Sequence, residues 1–223
     1  MKKLSRYFCF SLLLMVIACT PRQGLKAPPV YEGLSPEDIS LKIDNDIDIL
    51  KAITEISIEK NKVPYDFINA SVLVKKPGWV HMRMYKFGML VKDIVIKDDM
   101  VYVLAGKSSD RLKQLAREFY NAIIWWDILK DGLIYSDEDE FIIRTDNKQL
   151  HLDRKTLLPV KQQIKVMDKI IQLSYSAPVE TDGFWYPSAI TISAGEFTFS
   201  VKLKKIMKNP VLGEFDFQTP SES

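Results

Sequence analysis

The sequence predicts a mainly β protein with helices (α+β), its strands forming a single antiparallel sheet, closed or strongly curved. Three observations carry that expectation. Short apolar runs recur along the chain, punctuated by Pro77-Gly78, Asp98-Asp99, Asp146-Asn147 and Asp182-Gly183. The stretch 72–91 alternates with the period of a strand. Only one interior segment, 108–130, repeats with the period of a helix.

The alternating stretch organises the rest. Lys75-Lys76-Pro77-Gly78 reads as a turn, because Pro presets φ and Gly permits φ > 0. After it, Val80, Met82 and Met84 point one way and Trp79, His81, Arg83 and Tyr85 the other. Phe87-Gly88-Met89 interrupts the pattern, and 90–96 resumes it. Three consecutive strands result, over 65–75, 79–85 and 89–96, with one face rich in Val and Met. Met is flexible and polarizable and suits a surface that accepts variable apolar partners, although the same side chains serve equally as ordinary core.

Residues 1–18 read as an export signal. Lys2, Lys3 and Arg6 form a basic start, and the apolar stretch 7–17 is shorter than the ~20 residues of a membrane span. It ends in Val16-Ile17-Ala18-Cys19, which resembles the bacterial lipobox; that resemblance implies cleavage before Cys19 and its acylation. Two or three acyl chains anchor firmly where one holds marginally. Residues 19–34 hold prolines and glycines and read as a lipidated N-terminus and flexible linker. A helix starts at Ser35-Pro36-Glu37-Asp38, from the cap, the Pro at the first position and the acids, and is expected to run to about Asp48 on Ile39, Ile43 and Ile47.

Strands are expected at 50–59, then the three above, then 100–104. The helix 108–130 has caps at Ser108, Ser109 and Asp110, a stripe of Leu112, Leu115, Ala116, Phe119, Ala122, Ile123 and Trp126, and a stop at Asp131-Gly132. Ile124-Trp125-Trp126 widens the stripe until that half must be buried or face a lipid or partner. Further strands are expected at 141–144, 149–153, 160–167, 169–176, 184–192 and 196–206. The domain is taken as 35–219, with a disordered tail at 220–223.

Composition narrows the function. Without the first 18 residues, which hold three bases and no acid, the 31 basic and 29 acidic residues become 28 and 29, a net of about −1. With no basic stripe, nucleic acid is not an expected partner. Cys9 and Cys19 are the only thiols, and His81 and His151 lie far apart, so neither a disulfide framework, a metal site, a cofactor nor His-dependent catalysis is expected. The acids at 136–140 lack the glycine and ligand alternation of a calcium loop and read as a solvated turn. No Gly-x-Ser-x-Gly and no phosphate loop is present, so the chain is not expected to be an enzyme.

Four local segments, in order, resemble the LolA and LolB proteins that move lipoproteins. They are Val74-Lys75-Lys76-Pro77-Gly78-Trp79-Val80-His81-Met82-Arg83, then Tyr85-Lys86-Phe87-Gly88, then the stretch from Leu152 through Asp153 to Leu158-Pro159-Val160, and Tyr186-Pro187-Ser188-Ala189-Ile190. Trp125-Trp126 is not among them. The resemblance implies an unclosed half-barrel covered by helices over an apolar cavity. It implies binding of lipid or the acyl chains of lipoproteins, with a periplasmic LolA-like carrier as partner. Because LolB is itself a lipoprotein, Cys19 points towards that branch, and Thr20 after it carries no inner-membrane retention signal. The expectation is a monomer, anchored by lipid in the outer membrane and facing the periplasm, that inserts other lipoproteins there. A lipid or glycolipid carrier and a structural envelope lipoprotein are the alternatives.

The candidate site residues fall into two sets. Val80, Met82, Met84, Phe119, Ile123 and Trp126 are expected to converge between sheet and helix, joined by Phe197 and Phe199. Phe87, Gly88 and Met89 form the second: Gly88 lets the chain reverse with Phe87 outward, or Phe87 folds back as core. The resemblance implies that this loop delivers cargo into the bilayer.

Overall fold

The computed structural model describes residues 26–43, 46–98, 100–107 and 110–219, with backbone only at 110–116. The leader, Cys19, the linker up to residue 25, Ser108, Ser109, the side chains of Leu112, Leu115 and Ala116, and the tail 220–223 lie outside the described residues.

Twelve strands make one antiparallel sheet: β1 Ile49–Lys60, β2 Val63–Lys75, β3 Trp79–Lys86, β4 Met89–Lys97, β5 Met100–Ala105, β6 Leu133–Ser136, β7 Glu140–Arg144, β8 Lys148–Asp153, β9 Pro159–Val166, β10 Lys169–Thr181, β11 Phe184–Ala194 and β12 Phe197–Lys208. Their spatial order is β5-β4-β3-β2-β1-β12-β11-β10-β9-β8-β7-β6. Two meanders are thus joined where β1 pairs with β12, and β5 and β6 remain as free edges, so the sheet does not close. This is the mainly β architecture expected from the strand pattern, with the unclosed half-barrel that the resemblance implies. β6 is not among the expected strands: it has four residues and runs straight into the acidic turn, too short for alternation to show.

Helix α1 covers Pro36–Lys42 only. The Asp38 carboxylate accepts from the Ser35 N–H (3.0 Å) and hydroxyl (2.9 Å), which fixes its start. It stops six residues short of Asp48 because Ile43 turns extended and Asn209 captures the backbone that leads into β1. The Asn209 side chain accepts from the Asp48 and Ile49 N–H groups at 3.0 Å and donates to the Asp46 carbonyl at 2.9 Å. Ile39, Ile43 and Ile47 are all buried nonetheless.

The expected helix 108–130 is two pieces, α2 (Asp110–Ile123) and a 3-10 helix (Trp125–Lys130), separated by Ile124 at φ −99°, ψ 51°. One α-helix has one face to bury, whereas Trp125, Trp126, Ile128 and Leu129 are all buried. The tighter turn redistributes them around the axis. Gly132 ends the segment, donating to the Ile128 carbonyl at 2.9 Å; a Cβ there would collide with Ile143.

Both described ends of the chain lie on the sheet. Residues 26–34, part of the expected linker, are pinned by Lys26 to Glu180 (2.9 Å) and by the Tyr31 N–H to the Lys155 carbonyl (2.8 Å). At the other end Phe217 is buried against Trp79, ring centroids 5.7 Å apart, and its N–H donates to His81 Nδ1 (3.4 Å). His81 in turn meets Asp93 at 2.8 Å. The histidine thus ties strands to the C-terminal segment. Among the described residues no cluster of three metal-ligating side chains exists, and no helix is long and apolar enough to cross a membrane.

Candidate functional site

The β3–β4 hairpin carries the most exposed apolar tip on its half of the sheet. Lys86 pairs with Met89, leaving Phe87 and Gly88 as a two-residue loop at φ 51° and 77°. Both left-handed values make a type I′ turn, whose usual residues are Asn and Gly. A Cβ on Gly88 would meet nothing within 4 Å, so φ alone demands the glycine. Phe87 is 89% exposed and Met89 65%, with Leu90 and Val91 partly exposed behind them. The base is fixed by Lys86 Nζ on Asp66 Oδ1 at 2.6 Å. Partial burial pushes the Asp66 carboxyl up, but the Lys86 hydrogen bond and the Phe67 N–H outweigh it and hold it below its ordinary range.

The concave face is built by β3 and its neighbours. Register sets Val80 between Val74 and Ile96, and Met82 between Val72 and Ile94, while Met84 faces Ala70. Val80, Met82, Met84, Phe119, Ile123 and Trp126 are all buried in one continuous apolar cluster between sheet and helices. Trp126 packs edge-on against Trp125 (5.2 Å) and Phe184 (5.9 Å), and Phe184 stacks on Tyr186 (5.8 Å). Phe197 and Phe199 lie on β12, three strands from β3, and are half-buried. Phe199 packs against the edge of that cluster, while Phe197 meets Tyr65 edge-on at 6.1 Å.

Among the described residues the concave face is filled by packed apolar side chains. Two small pockets lie among the described residues, away from Val80, Met82 and Met84. One, of about 200 Å³, sits under Pro28 between Leu158, Val160, Tyr175, Pro178 and Pro187. That is below the ~300–1,000 Å³ of ordinary ligand pockets. Without a ligand, apolar walls gain by closing on each other to native density.

Sequence reading missed a polar set on the same face. Glu118 is 5% exposed, flanking the apolar stripe of α2 beside Ala122. It accepts from the Asn121 amide at 3.2 Å, and Asn121 Oδ1 accepts from Lys148 Nζ at 2.8 Å. This chain ties α2 to β8. Burial raises the Glu118 carboxyl above its ordinary range, against the Asn121 hydrogen bond and the Lys148 and Arg117 charges. Nearby, the buried Tyr175 hydroxyl donates to Gln162 at 2.7 Å, and burial pushes its phenol far upward. Tyr120 is pushed up to about 12 by burial and by Asp127. The indole Nε1 of Trp126 has no hydrogen-bond partner among the described residues. No local signal marked Glu118, because a Glu flanking an apolar stripe reads as a solvated position.

An open, helix-covered antiparallel half-barrel with a buried apolar concave face defines a LolA/LolB-like fold, and solved structures bear this out. A LolA superfamily protein from Nitrosomonas europaea matches with a TM-score of 0.61 at 14% identity, covering 83% of this chain and 98% of that one. A DUF1329 family protein from Desulfovibrio piger matches at 0.55 and 13%, covering 83% and 97%. An outer membrane lipoprotein-sorting protein domain from Vibrio parahaemolyticus matches at 0.50 and 12%, covering 81% and 93%. At these identities the likeness is one of fold. No family model matches the chain, and no curated protein matches it in sequence.

Proposed function

We propose that this chain is an envelope lipoprotein, anchored through Cys19 to the periplasmic face of the outer membrane, that binds the acyl chains of other lipoproteins and helps insert them there. The observation that carries the reading is Phe87, held fully exposed at a left-handed φ on a half-barrel of the LolA type. The fold of a lipoprotein-sorting domain supports the cargo class. Acyl chains need apolar walls without directional partners, and gain in proportion to the area they bury. In the filled state those walls are in contact, so cargo binding requires α2 and the 3-10 helix to leave the sheet. The Glu118–Asn121–Lys148 chain would then open with them. Phe87 would deliver the chains to the bilayer. The role involves binding and transfer, without covalent chemistry, and a monomer suffices for it.

Depletion of the protein tests this reading: lipoproteins should accumulate in the inner membrane. If they reach the outer membrane normally, lipoprotein insertion is excluded. The filled concavity favours a second reading, a structural envelope lipoprotein whose interior is simply core. Mass spectrometry of the purified protein separates that from any carrier, including one for lipid or glycolipid, by whether lipid copurifies.

A further inference from the structure

A second hairpin repeats the geometry of the Phe87 tip. Met167-Asp168 joins β9 to β10, with Val166 paired to Lys169. Met167 stands at φ 53° and is 89% exposed, as Phe87 is at φ 51°. Two other hairpins place Asn61 and Asp182 at the same left-handed φ of 52°. Asn and Asp tolerate that conformation because a short polar side chain bonds locally to the backbone. Phe and Met have no such compensation, and neither packs on the fold. The two tips that break the rule are the two that project a large apolar side chain into solvent.

They also project from the same end of the sheet. β1, β3, β7, β9 and β11 run towards this end, so Asn61-Lys62, Phe87-Gly88, Asp146-Asn147, Met167-Asp168 and Gly195-Glu196 all turn there. Lysines flank the tips: Lys62, Lys165 and Lys169, with Lys86 held on Asp66 and Lys60 paired to Glu196 at 3.7 Å. Exposed Val63 and Tyr65 on β2 lie between them in strand order. At the opposite end the tips carry no large exposed apolar side chain, with Lys76-Pro77-Gly78, Asp98, Asp137-Glu138-Asp139, Asp153-Arg154-Lys155 and Asp182-Gly183.

We propose that Met167 is a second lipid-contact residue, and that the Phe87 and Met167 hairpins dock this end of the half-barrel on a phospholipid surface together. The inference rests on the membrane-delivery role proposed above for Phe87. Five strand spacings separate β3 from β10, roughly 24 Å along the sheet. Apolar tips spread over that distance, with exposed Val63 and Tyr65 between them, suit an extended planar surface. A bilayer accepts each separately, with apolar tips below the headgroups and lysine ammoniums at the phosphates.

The test uses the full lipidated chain in vesicles of phosphatidylethanolamine and phosphatidylglycerol. With Cys19 acylated and Cys9 removed with the leader, Met167→Cys supplies the free thiol for an environment-sensitive fluorophore. Phe87→Cys and, at the opposite end, Asp182→Cys are labelled in parallel. Blue-shifted emission and quenching by spin-labelled lipid at both Met167 and Phe87, with none at Asp182, is the expected result. A shift at Phe87 alone overturns the second contact and leaves the delivery role standing. Shifts at all three positions mean indiscriminate adsorption and overturn the docking geometry. No shift at either tip overturns both the inference and the delivery role.

Discussion

Phe87→Asn separates the conformational cost of the β3–β4 tip from its use. A left-handed φ of 51° costs a non-glycine residue roughly 1–2 kcal/mol, and Asn relieves part of that. Little is lost in exchange. Phe87 is 89% exposed, so about a tenth of the ~1.5–3 kcal/mol of a fully buried apolar side chain is at stake. The balance is a stabilisation of about 0.5–1 kcal/mol, which for a domain of this size raises Tm by ~1–4 °C. Urea unfolding monitored by tryptophan fluorescence should show a higher midpoint at unchanged slope. The same variant should transfer a labelled lipoprotein to vesicles more slowly. A variant destabilised by more than about 1 kcal/mol would refute the reasoning, since Phe87 would then be packing on the fold.

Glu118→Gln tests the buried carboxyl. Its folded pKa is raised, so the native state holds the proton more tightly than the unfolded chain does. The cost of ionising it is absent below its ordinary 4.5 and fully present above the raised value. Gln should therefore match wild type near pH 4 and be the more stable near pH 8; equal stability at both pH values would count against a buried, ionising Glu118. In the concave core, Met82→Leu keeps volume and should cost below ~1.5 kcal/mol. Met84→Asp leaves a buried carboxylate without a partner and should cost more than ~3 kcal/mol, read from the urea midpoint. A mild effect there would mean that the space opens to water. Cys19→Ala should give a soluble or uncleaved form, and unchanged size and membrane fractionation would exclude acylation at that residue.

Much of the sheet was legible because strand signals are local. The alternation of Val80, Met82 and Met84, and the turn residues Pro77-Gly78 and Asp182-Gly183, are written within a few positions of where they act. The same holds for the Ser35-Pro36 helix start and for Phe87 before Gly88. Features that depend on partners far along the chain were not legible. Asn209 ends α1 and starts β1 from 160 residues away, and Phe217 closes over His81 from 136 away. Lys148 meets Asn121 across the interior, 27 residues on, which gives the buried Glu118 its surroundings. The break at Ile124 has the same origin: periodicity extends one helix to Lys130, but only the curved sheet beneath requires Trp125 and Trp126 to be buried together. Whether the concave face stands open or filled is also a tertiary outcome. Apolar side chains that can line a cavity can equally close it, and the volume between sheet and helices decides which.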